Sequence, residues 1–170
     1  MSPAAERDSV SAISAQWQAE GTELNIAPME IFGRIAKLHR IQLEASDRSY
    51  AHLDITGPDF DMLATLRRSG RPYRLTPSEL TATMMISSGG VTQRVDRLEQ
   101  RGLVERTPSP HDRRSTVVGL TPAGRRLIDK ALRGHLDTEE ELLSPLGARD
   151  RAALTTLLRR LLAGLEAAPE

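Results

Sequence analysis

The sequence contains no cysteine and very few aromatic residues: one tryptophan, two tyrosines and two phenylalanines among 170 residues. Without cysteine there are no disulfides, no thiolate metal ligands and no cysteine nucleophile, which fits a reducing, cytoplasmic setting. With 3% aromatics the core must be built from Leu, Ile, Val, Ala and Met, a composition suited to helix packed on helix. No window approaches the about 18 apolar residues of a membrane span. The first residues, "MSPAAERDSVSAIS", carry acids and no apolar segment, so no signal peptide is expected. Net charge is absent too, with 23 Lys and Arg against 23 Asp and Glu. For a nucleic-acid binder that balance is a poor first sign.

The charge is unevenly distributed, however. Residues 87–126 hold eight arginines and four acids, a local +4, whereas residues 137–170 hold seven acids and four arginines, a local −3. A basic segment followed by an acidic tail is informative where the total is not.

Helical periodicity dominates the chain. "DSVSAISAQWQAE" suits a short helix starting near Asp8 or Ser9. From Pro28 to about Leu53, Ile31, Ile35 and Leu38 form one stripe with Phe32, His39 and Leu43 beside it. Gly57-Pro58 breaks the chain, and Phe60, Leu63 and Leu66 open a second helix that Gly70 can stop. "TPSE" gives Thr76 as N-cap, Pro77 in the first turn and Glu79 closing a capping box. A further helix starts at Ser87 or Ser88, carries Val91, Val95 and Leu98 on one side, and stops at Gly102. Met84 and Met85, in the turn between these two helices, are expected in the core. "LVERT" and "STVVGLT" are β-prone. Two leucine-rich helices end the chain, separated by Pro145, the last carrying Leu154 to Leu165 at helical spacing.

Two short helices joined by "MMISSGG" and followed by a basic hairpin read as a winged helix-turn-helix. The second helix must enter a major groove, so its early residues should be small or hydrogen-bonding. Ser87, Ser88, Gly89, Thr92 and Gln93 satisfy this, with Arg94 and Arg97 able to reach bases or phosphates. At the hairpin tip stand Asp112, Arg113 and Arg114. One tip arginine suits a narrow minor groove, while Asp112 holds the other.

The run "LTPSELTATMMISSGGVTQRVDRLEQRGLVERTPSPHDRRSTVVGLTPAG" resembles the central segment of the MarR family of bacterial transcription regulators. Its motif is the helix-turn-helix, then Arg106, "DRR" and "LTPAG". The resemblance implies a mainly α fold with a β-hairpin wing, a homodimer formed by the N- and C-terminal helices, double-stranded DNA as partner, and a small-molecule pocket. It implies an extension and first dimerisation helix in 1–56, a DNA-binding lobe in 57–122 and dimerisation helices in 123–170. Trp17 with "GPDFDMLATLRRSG" further resembles the urate-responsive subgroup. By that resemblance Trp17, Asp61 and Arg68 form the ligand site, and Arg106 links it to the DNA lobe. Urate, trans-aconitate, citrate or a phenolic acid are the ligands in view, and a constitutive DNA binder is the alternative.

No Gly-rich phosphate loop follows a strand, no nucleophile elbow is present, and no acid/base pair has a defined neighbour, so no enzyme activity is expected. His39, His52, His111 and His135 lack metal-ligand spacing, so neither a metal nor another cofactor is expected.

Overall fold

The computed structural model describes residues 8–109 and 115–167. The chain separates into two compact units, Met1–Ala45 and Ser46–Glu170.

In the first unit α1 (Ser9–Ala19) starts at Asp8, whose carboxylate accepts the backbone N–H groups of Val10 and Ser11, each at 2.9 Å. Arg34 Nε donates to the same carboxylate at 2.8 Å, tying α1 to α2 (Ala27–Tyr50). Past Tyr50 a single 3₁₀ turn, Ala51–Leu53, ends at Asp54 in the left-handed region. The expected helix to Leu53 is therefore continuous for all but its last turn.

The second unit holds the core. α3 (Gly57–Arg68) begins with a capping box: Thr56 Oγ1 accepts from Asp59 N–H, and the Asp59 carboxylate accepts from Thr56 N–H at 3.1 Å. α4 (Pro77–Met84) begins with the Thr76/Glu79 box that the sequence predicts, and α5 (Ser88–Gln100) begins at the Ser87 cap. Gly102, with φ +66, ends that helix in a conformation disfavoured for residues with a side chain.

The wing is a three-stranded antiparallel sheet rather than a hairpin alone. β2 (Val104–Pro108) pairs with β3 (Thr116–Leu120), and the two-residue β1 (Arg74–Leu75) adds to the far edge of β3. α6 (Pro122–Leu142) and α7 (Ala148–Glu166) complete the chain.

Leu63, Leu66, Leu80, Leu98 and Ile128 are all 0% exposed, and they join α3, α4, α5 and α6 into one aliphatic cluster with Val104 and Val118 of the sheet. Each such side chain contributes roughly 1.5–3 kcal/mol on leaving water. Tyr50 stacks on Phe60 at 4.7 Å and is hydrogen-bonded to His135 Nδ1 at 2.7 Å. Burial is the main cause pushing its phenol pKa up to about 12.

The segment "LTPAG" has a packing explanation. Thr121 caps α6, accepting Gly124 N–H at 3.0 Å and donating its hydroxyl to Gly102 C=O at 2.7 Å. A Cβ at Gly124 would stand 1.9 Å from the Leu103 carbonyl oxygen, so only glycine lets α6 approach this backbone.

Met85 corrects the sequence expectation. It occupies the left-handed C-cap of α4 and is 91% exposed, whereas Met84 packs against the core. The tight turn needed to reverse direction between α4 and α5 turns Met85 outward.

Candidate nucleic-acid interface

α4, its turn and α5 form the helix-turn-helix. Val91, Val95 and Leu98 bury one face of α5 against the core, so the residues between them point away. Ser87, Ser88, Gly89, Thr92 and Gln93 are exposed, and a Cβ at Gly89 would meet nothing within 4 Å. The open N-terminal half of α5 therefore presents small and hydrogen-bonding groups at the positive end of a helix dipole. Two of these groups also serve the helix itself. Ser87 Oγ accepts Gly90 N–H at 3.2 Å, and Thr92 Oγ1 donates to Ser88 C=O at 3.1 Å.

The arginines around this surface are not equivalent. Arg97 Nη2 donates to Asp59 Oδ1 at 2.5 Å, and Asp59 is 1% exposed. Arg101 pairs with Asp54 at 3.2 Å. Arg106, on β2, pairs with both Asp96 and Glu99 of α5, and its own N–H donates to Glu99 Oε1 at 3.0 Å. Burial opposes the charge on Arg106, but its hydrogen bonds with the two carboxylates outweigh it and hold its pKa above the ordinary arginine value. These three side chains tie α5 and its C-terminal end to α3, to the turn that precedes α3 and to the wing. Arg94 is different: among the described residues it forms no ion pair.

Asp61 and Arg68 lie together. They line a cleft of about 310 Å³ with Phe60, Ala64 and Thr65 of α3, Thr83 and Met84 of α4, Ile86 of the turn, and Arg94 of α5. Arg68, like Arg94, forms no ion pair among the described residues. Two unpaired guanidinium groups and one carboxylate leave this cleft net positive. Arg106 does not line it; its partners are on the opposite side of α5. Trp17, 46% exposed on α1, belongs to the first unit. Asp112, Arg113 and Arg114 lie outside the described residues.

A wider cleft of about 470 Å³ between the sheet and α6 is lined by Tyr73, Arg125, Arg126 and Asp129. Its charges are largely used internally. Arg67 and Arg125 flank the Tyr73 ring at 4.9 and 5.1 Å, and both pair with Asp129. An anion there would compete with Asp129, so the Asp61–Arg68 cleft is the better candidate. Among the described residues no cluster of His, Asp and Glu could hold a metal ion, and no helix is long and apolar enough to cross a membrane.

The model of the MarR family matches residues 53–115, the stretch from the 3₁₀ turn after α2 through the helix-turn-helix into the wing. Over 151 residues the chain is 36% identical to the HTH-type transcriptional regulator PecS of Dickeya dadantii, covering 89% of this chain and 91% of that one. The chain belongs to the MarR family. It is also 36% identical over 111 residues to the multiple antibiotic resistance protein MarR of Salmonella typhimurium, covering 65% of this chain and 75% of the relative. A mutant E. coli MarR solved in complex with operator DNA superimposes with a TM-score of 0.71 at 28% identity, covering 83% of this chain and 99% of that one. The mainly α, winged helix-turn-helix architecture is thus that of MarR-family transcription regulators, and these relatives are not enzymes.

Proposed function

We propose that this MarR-family regulator is a repressor that binds a palindromic operator as a homodimer and leaves it when a small anion enters the Asp61–Arg68 cleft. The observation that carries the reading is the free, polar N-terminal half of α5. Its backbone is held by buried valines and by Arg97 and Arg106, while among the described residues its outer face forms no hydrogen bond or ion pair beyond the helix itself. In this reading Ser88, Gly89, Thr92, Gln93 and Arg94 meet the major groove, with Ser87 and Arg97 bracing them. Asp112, Arg113 and Arg114 serve the wing tip.

The homodimer reading rests on apolar surface. α7 has no buried residue, and Leu157, Leu158, Leu162 and Leu165 are 45–60% exposed in the single chain. Ile31, Phe32 and Leu38 of α2 are 55–61% exposed. Stripes of that size are covered in a soluble protein. Residues 1–56 and 123–170 then supply the dimer, and 57–122 the DNA-binding lobe. A two-fold pair of α5 helices calls for half-sites about one helical turn apart.

For the ligand, Arg68 offers a planar fork to paired acceptors, which suits urate or a tricarboxylate. Asp61 is repelled by the incoming charge, and the ligand acts through its preference for the state that does not hold DNA. The test is a footprint of the region upstream of the protein's own gene, with and without urate, trans-aconitate and citrate. A symmetric protected site that one of these anions clears supports the reading. Absence of protection removes the repressor, and protection indifferent to all three removes the ligand.

A further inference from the structure

From Thr92 to Arg97 every residue of α5 except the buried Val95 is polar, yet most of these side chains are already committed. Thr92 Oγ1 donates its hydrogen to Ser88 C=O at 3.1 Å, so its lone pairs and its methyl group are what it has left to offer. Asp96 accepts from Arg106. Arg97 turns its fork to Asp59 and Thr56. Arg94 is half-buried at the edge of the face and also lines the cleft with Asp61 and Arg68. Gln93 is left: it is exposed, and its amide forms no hydrogen bond among the described residues. Gly89 stands one turn before Gln93 on the same side of the helix, and a Cβ there would meet nothing within 4 Å. With no side chain at that position, the helix can approach closely enough for an amide to reach a base edge.

These commitments decide which bases can be read. In the major groove an arginine fork matches guanine O6 and N7, an acid accepts from cytosine N4, and an amide matches adenine N6 and N7. Arg97 and Asp96 are held back from the first two roles by Asp59 and Arg106. Resting on the operator-binding reading above, we propose that Gln93 is the specificity-determining residue of each half-site and that the base it reads is adenine. Adenine N6–H donates to Gln93 Oε1, and Gln93 Nε2–H donates to adenine N7. Thr92, whose hydroxyl hydrogen is spent on the helix, sets its methyl group against the C5-methyl of a neighbouring thymine. The two contacts give α5 a preference for A·T pairs that contacts to phosphate do not carry.

The experiment selects duplexes from a randomised pool with the full-length wild type, Gln93→Ala and Gln93→Arg, and measures the recovered duplexes by fluorescence anisotropy. Circular dichroism establishes that each variant is folded. The wild type should recover an adenine at one position of each half-site, the two positions related by two-fold symmetry. Gln93→Arg should move that position to guanine and leave the others unchanged, and Gln93→Ala should accept any base there. Replacing that adenine by 7-deazaadenine removes the N7 acceptor and keeps the base pair. It should weaken wild-type binding by about fivefold or more, the lower end of what a bidentate pair discriminates, and Gln93→Ala by less than about twofold. Uracil in place of the neighbouring thymine removes only a methyl group, and should weaken the wild type by roughly threefold and Thr92→Ser hardly at all. A Gln93→Arg selection identical to the wild type's, or 7-deazaadenine bound by the wild type as tightly as adenine, overturns the proposal while leaving operator binding intact. If the wild type binds no duplex at all, operator binding and this readout fall together.

Discussion

Removing Arg97 should cost stability more than it costs specificity. Its partner Asp59 is 1% exposed, and among the described residues its carboxylate accepts, besides Arg97, two hydrogen bonds, from the N–H and the hydroxyl of Thr56. Arg97→Ala leaves this carboxylate buried without a cation, and such a loss costs about 3–5 kcal/mol. The Thr56 bonds compensate part of that, so roughly 3 kcal/mol is expected, taking a charge-assisted hydrogen bond at ~1.5–3 kcal/mol and the stranded charge as the rest. The reverse deletion is milder. Asp59→Asn leaves Arg97, whose side chain is 46% exposed, free to hydrate, and the amide oxygen can still serve Thr56. About 1–2 kcal/mol is expected there. The double variant Asp59→Asn/Arg97→Ala should be more stable than Arg97→Ala alone, because the buried charge is gone. Urea unfolding at one fixed protein concentration measures all three, since dimerisation makes stability concentration-dependent. A loss below about 1 kcal/mol in Arg97→Ala, or additive effects in the double variant, would refute the bracing role and return Arg97 to the DNA.

Other consequences follow from packing and charge. Gly124→Ala should destabilise by about 3 kcal/mol or more, because the added methyl meets backbone rather than a yielding side chain, and a thermal melt reads this directly. Deleting residues 148–170 should leave no stable soluble dimer in sedimentation, whereas a well-folded truncated dimer would place the interface elsewhere. Tyr50 predicts a loss of stability at alkaline pH. Its phenol pKa is raised from 10 to about 12, so the unfolded chain gives up its proton first, and stability falls as pH rises from 10 to 12. Tyr50→Phe should flatten that part of the pH–stability curve.

The sequence showed most of the scaffold and less of the site. Helix limits set by local chemistry were readable: Thr76 with Glu79, the Ser87 cap and the Gly102 stop need only neighbours in the chain. The Thr56/Asp59 box has the same spacing, but Gly57-Pro58 inside it reads as a break, and its second role, holding Arg97, depends on a helix 38 positions away. β1 is two residues long and shows no alternation, so nothing local marks it. Gly124 could be noticed as part of a motif, yet its reason is the Leu103 carbonyl, which only the folded chain brings near. Asp61 and Arg68, two turns apart on α3, do share a cleft. That Arg94 joins them, and that Arg106 spends its charge on Asp96 and Glu99, follows from how α5 lies on α3 and β2.

The most direct test of the central claim is the affinity for the upstream duplex as a function of salt, for the wild type and for Arg113→Ala/Arg114→Ala. The account predicts a linear fall of log affinity with log salt, with a slope of roughly −4 to −8 from several released counterions. It also predicts a shallower slope in the double variant, with the larger loss on duplexes with A·T-rich flanks. Affinity that is independent of salt, or identical slopes and affinities for both proteins, would contradict it.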